Sequence, residues 1–179
     1  GYTVVDPATV ITTHLTELIR DNMSELLSYV ETQNLLDELP NEHQKLVGEV
    51  VPNQISVGGI QRVLQNLLNE RVSIRDLPTI LEGISEACAF TRNVTQLTEH
   101  VRSRLARQIS EQNSTEDNFI PLVTLSAEWE QIFSDSILDQ GEDKQLSMAP
   151  SQLQRFIGAV RNTLDELADK EDPPVVLTS

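Results

Sequence analysis

Residues 56–84 read SVGGIQRVLQNLLNERVSIRDLPTILEGI, and the predicted fold of the chain is built around them. Apolar side chains recur there at helical spacing, within residues 57–68 and again within residues 77–84. Ser56 and Asp76 precede the two runs, and both are residue types that cap helix N-termini. The stretch therefore predicts two amphipathic helices joined by a polar turn.

Helical patterns also lie on both sides of this pair. Residues 7–21 predict a helix that is capped by Asp6 and has Pro7 at its first position, where a missing N–H costs nothing. Its predicted apolar stripe consists of Ile11, Leu15, Leu18 and Ile19. Residues 23–50 predict short helices in series, without any alternation typical of strands. Residues 94–108 predict a further helix with apolar side chains at strict i+4 steps. The region is therefore predicted to be all-α.

A polar segment at residues 110–118, SEQNSTEDN, has no apolar anchor and is typical of a linker or hinge. After it the pattern alternates between strands and helices, which predicts an α/β layer. The predicted elements are strands at residues 119–125, 145–148 and 175–177, a helix from Ser126 to about Gly141, and a helix from Pro150.

The predicted fold class is α+β, mainly α, with an all-α helical subdomain followed by a small α/β subdomain. Gly1 in place of Met and the strand-like end PPVVLTS lead us to expect a truncated piece of a longer protein. The predicted organisation is the end of a first subdomain at residues 1–30, with a strand at Tyr2–Val5 and one helix, the helical subdomain at 31–109, the linker at 110–118, and the incomplete α/β subdomain at 119–179.

The formal net charge of −15 argues against a general nucleic-acid binder, because neutralising phosphates requires clustered Lys and Arg. Residues 56–108 carry five acids and seven bases, whereas both flanking regions are acidic. The near-neutral middle has two interpretations: ordinary variation between domains, or contact with a neighbouring acidic surface in an oligomer.

The sequence offers no pattern that indicates catalysis. The three histidines fall on different segments without Cys or His neighbours at ligand spacing, and Cys88 is the single cysteine. Gly58-Gly59 lacks the ending of a phosphate-binding loop. Because two glycines in the first turn weaken a helix, we expect close backbone packing there. We expect no enzyme activity, no cofactor and no metal. No apolar run approaches the roughly 18 residues that span a membrane.

Two surfaces leave alternatives open. Thr9, Thr12, Thr13 and Thr16 share one face of the helix at residues 7–21, and this stripe is either a solvated face or a shallow docking surface. The helix pair also has the outline of a helix-turn-helix DNA-binding regulator, although its turn is long and the chain is acidic. That regulator is the alternative to a non-enzymatic docking protein.

Three strings in the chain are specific: GYTVVDPATVITTHL, the stretch VLQNLL…VSIRDL…ILE, and LTEHVR…LARQI. In these the chain closely resembles the cytoplasmic region of the FlhA/LcrD/InvA family of type III export-gate proteins, over essentially its whole length. The segments VTLSAEWEQ and PPVVLTS are similar to the C-terminal subdomain of the flagellar branch.

This resemblance implies a non-enzymatic docking platform in flagellar type III protein export, at the cytoplasmic face of the bacterial inner membrane. The family's cytoplasmic part has four subdomains, is anchored by an N-terminal transmembrane half, and forms a nine-membered ring. The implied partners are flagellar export chaperones with their substrates, the export ATPase complex and other copies of the chain. Nucleic acid is not among them.

The resemblance also implies a docking site. The family binds chaperones in a dimple between its first two subdomains, and aligning VITTHL assigns a contributing threonine to Thr13. Thr9, Thr12 and Thr16 lie on the same stripe, while the other half of the dimple is absent from this chain. For the ring, we predict contacts through Arg62, Arg71 and Arg75 in the near-neutral middle.

Overall fold

The computed structural model describes residues 6–140, 143–167 and 174–177, so the predicted strand Tyr2–Val5 lies outside the described residues. The chain divides into two units, residues 1–107 and 108–179. The first unit is helical throughout its described part. Its elements are α1 (Pro7–Asp21), α2 (Met23–Leu26), α3 (Tyr29–Asp37), α4 (Asn41–Val50), α5 (Val57–Asn69), α6 (Leu77–Ala87), α7 (Val94–Arg104) and the start of α8 (Ala106–Asn113).

The helix pair α5–α6 supplies most of the core of the first unit, as the sequence predicts. The apolar side chains of both helices recur at i, i+3 and i+4, so each helix turns one stripe towards its neighbours. Helix α7 packs on both members of the pair. The core includes Leu36, Val50, Ile60, Val63, Leu64, Leu67, Ile80, Leu81, Ile84, Leu97 and Val101, all 1% exposed or less.

Local sequence signals set the beginnings of these helices. The hydroxyl of Ser56 accepts a hydrogen bond from the Gly59 N–H at 3.1 Å, and the Asp76 carboxylate accepts one from the Thr79 N–H at 3.3 Å. Both N-caps confirm the prediction. The predicted span of α1 is also confirmed at Pro7–Asp21, although Asp6 makes no side-chain cap bond.

The single helix predicted at residues 94–108 is wrong, because α7 ends at Arg104 and α8 begins at Ala106. The intervening Leu105 is buried and leaves the helical conformation, with φ −86° and ψ 7°. Apolar residues at i+4 steps drift by about 40° per step around an α-helix, so a continuous helix would turn Ile109 away from the core. After the break Ile109 is half-buried.

The second unit combines two short sheets with two helices. β1 (Leu122–Thr124) pairs in parallel with β4 (Val175–Leu177), so that Leu122 lies opposite Val175. β2 (Ile137–Gln140) and β3 (Asp143–Leu146) form an antiparallel hairpin. The helices are α9 (Ala127–Ser136) and α10 (Pro150–Leu167). The mainly-α α+β fold class is confirmed.

Two boundaries predicted in the second unit are wrong. Helix α9 ends at Ser136 rather than near Gly141, and the strand β2 follows at once. The apolar side chain of Ile137 fits the helical period of α9, which hid the strand signal. Gly141 is a residue type that is common in turns between strands, and this was the sequence signal against a continuous helix there. The next strand, β3, begins two residues earlier than predicted.

Helix α8 covers Ser110–Asn113, which the sequence analysis assigned to the linker. The division between the units falls after Arg107. The first unit takes in α1 together with the helical subdomain. The subdomain boundary after residue 30 stays a prediction.

Candidate docking surface

Helix α1 buries none of its side chains among the described residues. Its predicted apolar stripe is therefore exposed, with Ile11 at 68%, Leu15 at 54% and Leu18 at 47%. The hydrophobic effect favours covering such a stripe. Within this chain, no described segment covers the apolar side chains of α1.

The threonine stripe lies beside the apolar stripe on the same helix. Thr9, Thr12, Thr13 and Thr16 are all exposed. The hydroxyls of Thr12 and Thr16 donate to the backbone carbonyls of Ala8 and Thr12, at 2.9 and 2.8 Å. These hydroxyls can then accept a hydrogen bond but have no proton left to donate. Next to the apolar side chains, the stripe offers methyl groups and a few hydroxyl oxygens.

The C-terminal end of α1 is joined to the helix pair by an ion pair. The Arg71 guanidinium lies 2.9 Å from the Asp21 carboxylate, and both side chains are largely exposed. A polar cavity of about 130 Å³ beside it is lined by residues of α1, α2 and α5. Of the three arginines predicted as ring contacts, Arg71 is thus the one that the structure connects to α1.

Arg71 also has an unusual backbone, with φ +59°. It follows α5, and the Val72 N–H reaches back to the Leu67 carbonyl at 2.9 Å while the Arg71 N–H bonds to Leu68. This is the left-handed end that commonly terminates helices and that glycine adopts without strain. Arg62 is exposed on α5 and Arg75 is exposed in the turn, and neither side chain pairs with an acid among the described residues.

Two arginines of α7 pair with acids of neighbouring segments. Arg102 contacts Glu70 at 2.6 Å, and Arg104 contacts Glu82 at 3.1 Å. The His100 ring lies 3.0 Å from Glu86. The hydrogen bond from His100, together with the charges of Arg104 and His100, holds the pKa of Glu86 below its usual range against the opposing effect of burial. The exposed acids of α6 also make it a poor helix for reading a DNA groove.

Two glutamines of α5 have a role that the sequence pattern did not indicate. Gln61 and Gln65 are half-buried, and their side-chain amides donate to backbone carbonyls near α2. Their i, i+4 spacing along one edge of the apolar stripe was the available signal. Their acceptors lie 34 to 41 residues away in sequence, so no local pattern revealed the contact.

The second unit contains an apolar cavity of about 780 Å³ between α9, α10 and the parallel strands. Its aromatic wall consists of Trp129, Phe133 and Phe156. The centroid of the Phe156 ring lies 5.2 Å from that of Trp129 and 4.8 Å from that of Phe133, and both contacts are edge to face. The Arg155 guanidinium lies 5.1 Å from the Trp129 ring and pairs with Glu128. Across both units, the described residues contain no cluster of His, Cys, Asp and Glu that could hold a metal ion.

The described part of the chain contains no candidate for a membrane-spanning helix. None of the helices within residues 6–140, 143–167 and 174–177 has both the length and the hydrophobicity to cross a bilayer.

Comparison with known proteins identifies the family. The chain is 55% identical to the flagellar biosynthesis protein FlhA of Caulobacter vibrioides and 38% identical to that of Bacillus subtilis, each over 179 residues. In both cases all of this chain is matched, and it covers 26% of the relative's length. The chain therefore spans about a quarter of these relatives.

Solved structures show the same fold. The structure of the Chlamydia pneumoniae CdsV and CdsO complex matches with a TM-score of 0.87 and 28% identity, over 98% of this chain and 51% of that one. The cryo-EM structure of nonameric EPEC SctV-C matches with a TM-score of 0.81 and 29% identity, over 94% and 50%. The family model described as "FHIPEP family" matches residues 1–179, which is the whole of this chain. The chain therefore belongs to the FHIPEP family.

Proposed function

We propose that the chain is part of a non-enzymatic docking platform of the flagellar type III protein export apparatus. The observation that carries this proposal is its 55% identity, over every residue, with a flagellar biosynthesis protein FlhA. The rest of the intact protein anchors this part at the cytoplasmic face of the bacterial inner membrane. The platform binds export chaperones with their substrates and the export ATPase complex, and it works as a ring.

The exposed face of α1 supports a docking role. A surface of apolar side chains and threonine methyls gains free energy on contact with an apolar partner, at roughly 25 cal/mol per Å² of apolar area buried. Thr13 lies on this face, one turn from Thr9 and Thr16. We assign chaperone docking to Thr13, with Thr9, Thr12 and Thr16 as its neighbours on the stripe.

The ring role has separate support. Structures with the same fold are nonameric in two cases, SctV-C and the EscV cytosolic domain. CdsV, which also shares the fold, was solved in complex with CdsO, so this fold accommodates a second protein. For this chain we propose ring contacts through Arg62, Arg71 and Arg75. No observation favours the alternative of a DNA-binding regulator.

Thr13→Asp in the intact protein tests the docking site. A carboxylate would be buried without a partner in the apolar contact, so we expect binding of flagellar chaperone–substrate pairs to fall at least tenfold, about 1.4 kcal/mol. Calorimetric titration of the purified proteins measures this. Thr95→Asp is the matched control, because Thr95 is exposed in the first turn of α7. Equal affinity for wild type and Thr13→Asp would refute the assignment.

A further inference from the structure

Helix α2 connects α1 to the rest of the first unit and contains one turn, Met23–Leu26. A single turn leaves nearly all of its carbonyls without intrahelical partners. The N–H groups that would serve Ser24 and Leu27 in a longer helix bond elsewhere. The Ser28 N–H bonds to the Leu26 carbonyl at 3.0 Å, and the Glu31 N–H bonds to the Ser28 hydroxyl at 3.1 Å.

The two glutamines of α5 supply the missing donors. Gln65 Nε2 lies 3.1 Å from the Ser24 carbonyl and 3.1 Å from the Leu27 carbonyl. Gln61 Nε2 lies 2.9 Å from the same Leu27 carbonyl. All three contacts are partly buried, which makes leaving either carbonyl unsatisfied costly. This pair of amides therefore ties the backbone at α2 to α5.

The two glutamines belong to α5, which is held firmly in the first unit, whereas α1 is not held in this way. Helix α5 carries a capped N-terminus and six buried residues, so its outer edge is a fixed reference within the first unit. Helix α1 buries no described side chain, and its Asp21–Arg71 ion pair is exposed. Exposed ion pairs contribute little to a fixed geometry. The direction in which α1 leaves the unit is then set by the junction at α2.

We propose that Gln61 and Gln65 are positioning residues that fix the orientation of α1, and with it the threonine stripe, relative to the helical core. This inference rests on the proposed docking function for its biological meaning, but not for its geometry. The glutamines act through α2 and are not themselves part of the docking surface.

The test measures the orientation of α1 directly. Spin labels are attached at His14→Cys on α1 and Arg92→Cys after α6, in a Cys88→Ala background, and their distance distribution is recorded by pulsed electron paramagnetic resonance. In Gln61→Met/Gln65→Met the side-chain length is kept and the donors are lost. We expect the distribution to shift or broaden, while circular dichroism and the thermal midpoint change little.

Gln33→Met is the matched control, because the Gln33 amide bonds to Asp37 within its own helix at 2.8 Å. It should leave the distribution unchanged. Gln61→Glu/Gln65→Glu is a second variant that removes the donors with nearly identical shape. An unchanged distribution in both double variants would overturn the proposal. Loss of folding in both double variants and in each single Met variant would also overturn it, since the glutamines would then serve stability.

Binding to chaperone–substrate pairs separates this inference from the proposed function. If the distance changes and the intact double variant also binds more weakly, both proposals are supported. If the distance changes while binding is unaffected, the positioning role stands and the docking role of α1 fails.

Discussion

At the residue scale, the two adjacent glycines of α5 have different surroundings. A Cβ added at Gly58 would meet no atom closer than 4.0 Å, whereas one at Gly59 would meet the Ile55 side chain at 2.5 and 2.8 Å. The close approach that the sequence indicated for the pair is therefore a property of Gly59. Gly58 only weakens the helix.

Gly58→Ala and Gly59→Ala should consequently have opposite effects on stability. Ala lowers the backbone entropy of the unfolded chain, so Gly58→Ala should raise the free energy of unfolding by about 0.5–1 kcal/mol. Gly59→Ala overpacks against Ile55 and should lower it by about 1–3 kcal/mol. Urea titrations followed by circular dichroism measure both. Stabilisation by both substitutions would contradict the packing seen at Gly59.

The carboxylate of Glu86 gives a pH-dependent contribution to stability. Its pKa is lower in the folded chain than in the unfolded chain, first because of the His100 hydrogen bond and then because of the Arg104 and His100 charges. As pH falls, the unfolded state therefore binds more protons than the folded state does. The stabilisation is present above the unfolded pKa and is lost as pH falls through the folded pKa.

Glu86→Gln removes the titrating group, and the comparison with wild type isolates its effect. We expect the variant to be less stable near pH 7 and the difference from wild type to disappear in acid, below the folded pKa of Glu86. Thermal midpoints of both proteins, measured between about pH 3 and about pH 7, test this expectation. A difference that stays constant down to the acid end would show that Glu86 contributes nothing through ionisation.

At the element scale, the structure separates side chains that cap a helix from residues that only occupy the cap position. Asn93 accepts from the N–H groups of Thr95 and Gln96 at 2.9 and 3.2 Å, and so begins α7. Asp6 stands at the same position before α1 and makes no cap bond. Sequence alone gives both residues the same prediction.

Asn93→Ala should therefore lower the free energy of unfolding by about 1 kcal/mol, within the usual range for a lost N-cap. Asp6→Ala is the control and should change it by less than about 0.5 kcal/mol, through the helix dipole alone. Chemical unfolding of both variants provides the comparison. Equal losses for the two would mean that the cap bonds of Asn93 carry no net energy.

The elements that the sequence predicted correctly are those decided by local physics. Caps at Ser56 and Asp76 and the apolar periods of α5 and α6 need only neighbouring residues. The break at Leu105 could not be predicted, because it depends on where the core lies around α7. The hydrogen bonds of Gln61 and Gln65 join segments far apart in sequence. The spacing of glutamines along a helix does not indicate which distant carbonyl accepts from them.

The candidate site was predictable only in part for a related reason. Periodicity placed the four threonines on one face, and their exposure agrees with that placement. The same periodicity predicted an apolar stripe on α1 but did not indicate whether another segment covers it. The pairing of Arg71 with Asp21 also needed the tertiary structure.

At the scale of the whole molecule, ring assembly is expected to depend on the exposed arginines of the first unit. Arg62→Glu or Arg75→Glu in the intact protein should weaken self-association by about 0.5–1 kcal/mol per contact, because each reversal replaces attraction to an acidic neighbour with repulsion. Sedimentation velocity measures the assembled fraction. Arg92→Glu, at another exposed arginine, is the control.

Arg71 requires a separate design, since it already pairs with Asp21. Asp21→Arg/Arg71→Glu restores that ion pair with the charges exchanged. It still places a negative charge at position 71, where the ring contact requires a positive one. Weak assembly in both Arg71→Glu and the exchanged pair would support a ring contact. Recovery in the exchanged pair would assign Arg71 to the internal ion pair, and wild-type assembly in all the arginine variants would refute the ring prediction.

The arrangement of contacts along the chain has a consequence for biosynthesis. The core helices of the first unit, α3 to α7, follow one another in sequence, so all of them are available once residue 105 has left the ribosome. The parallel pair β1–β4 instead joins residues about fifty positions apart, and among the described residues β4 is the strand that pairs with β1. We expect the first unit to fold during translation, while the β1–β4 pair of the second unit forms only after β4 has emerged.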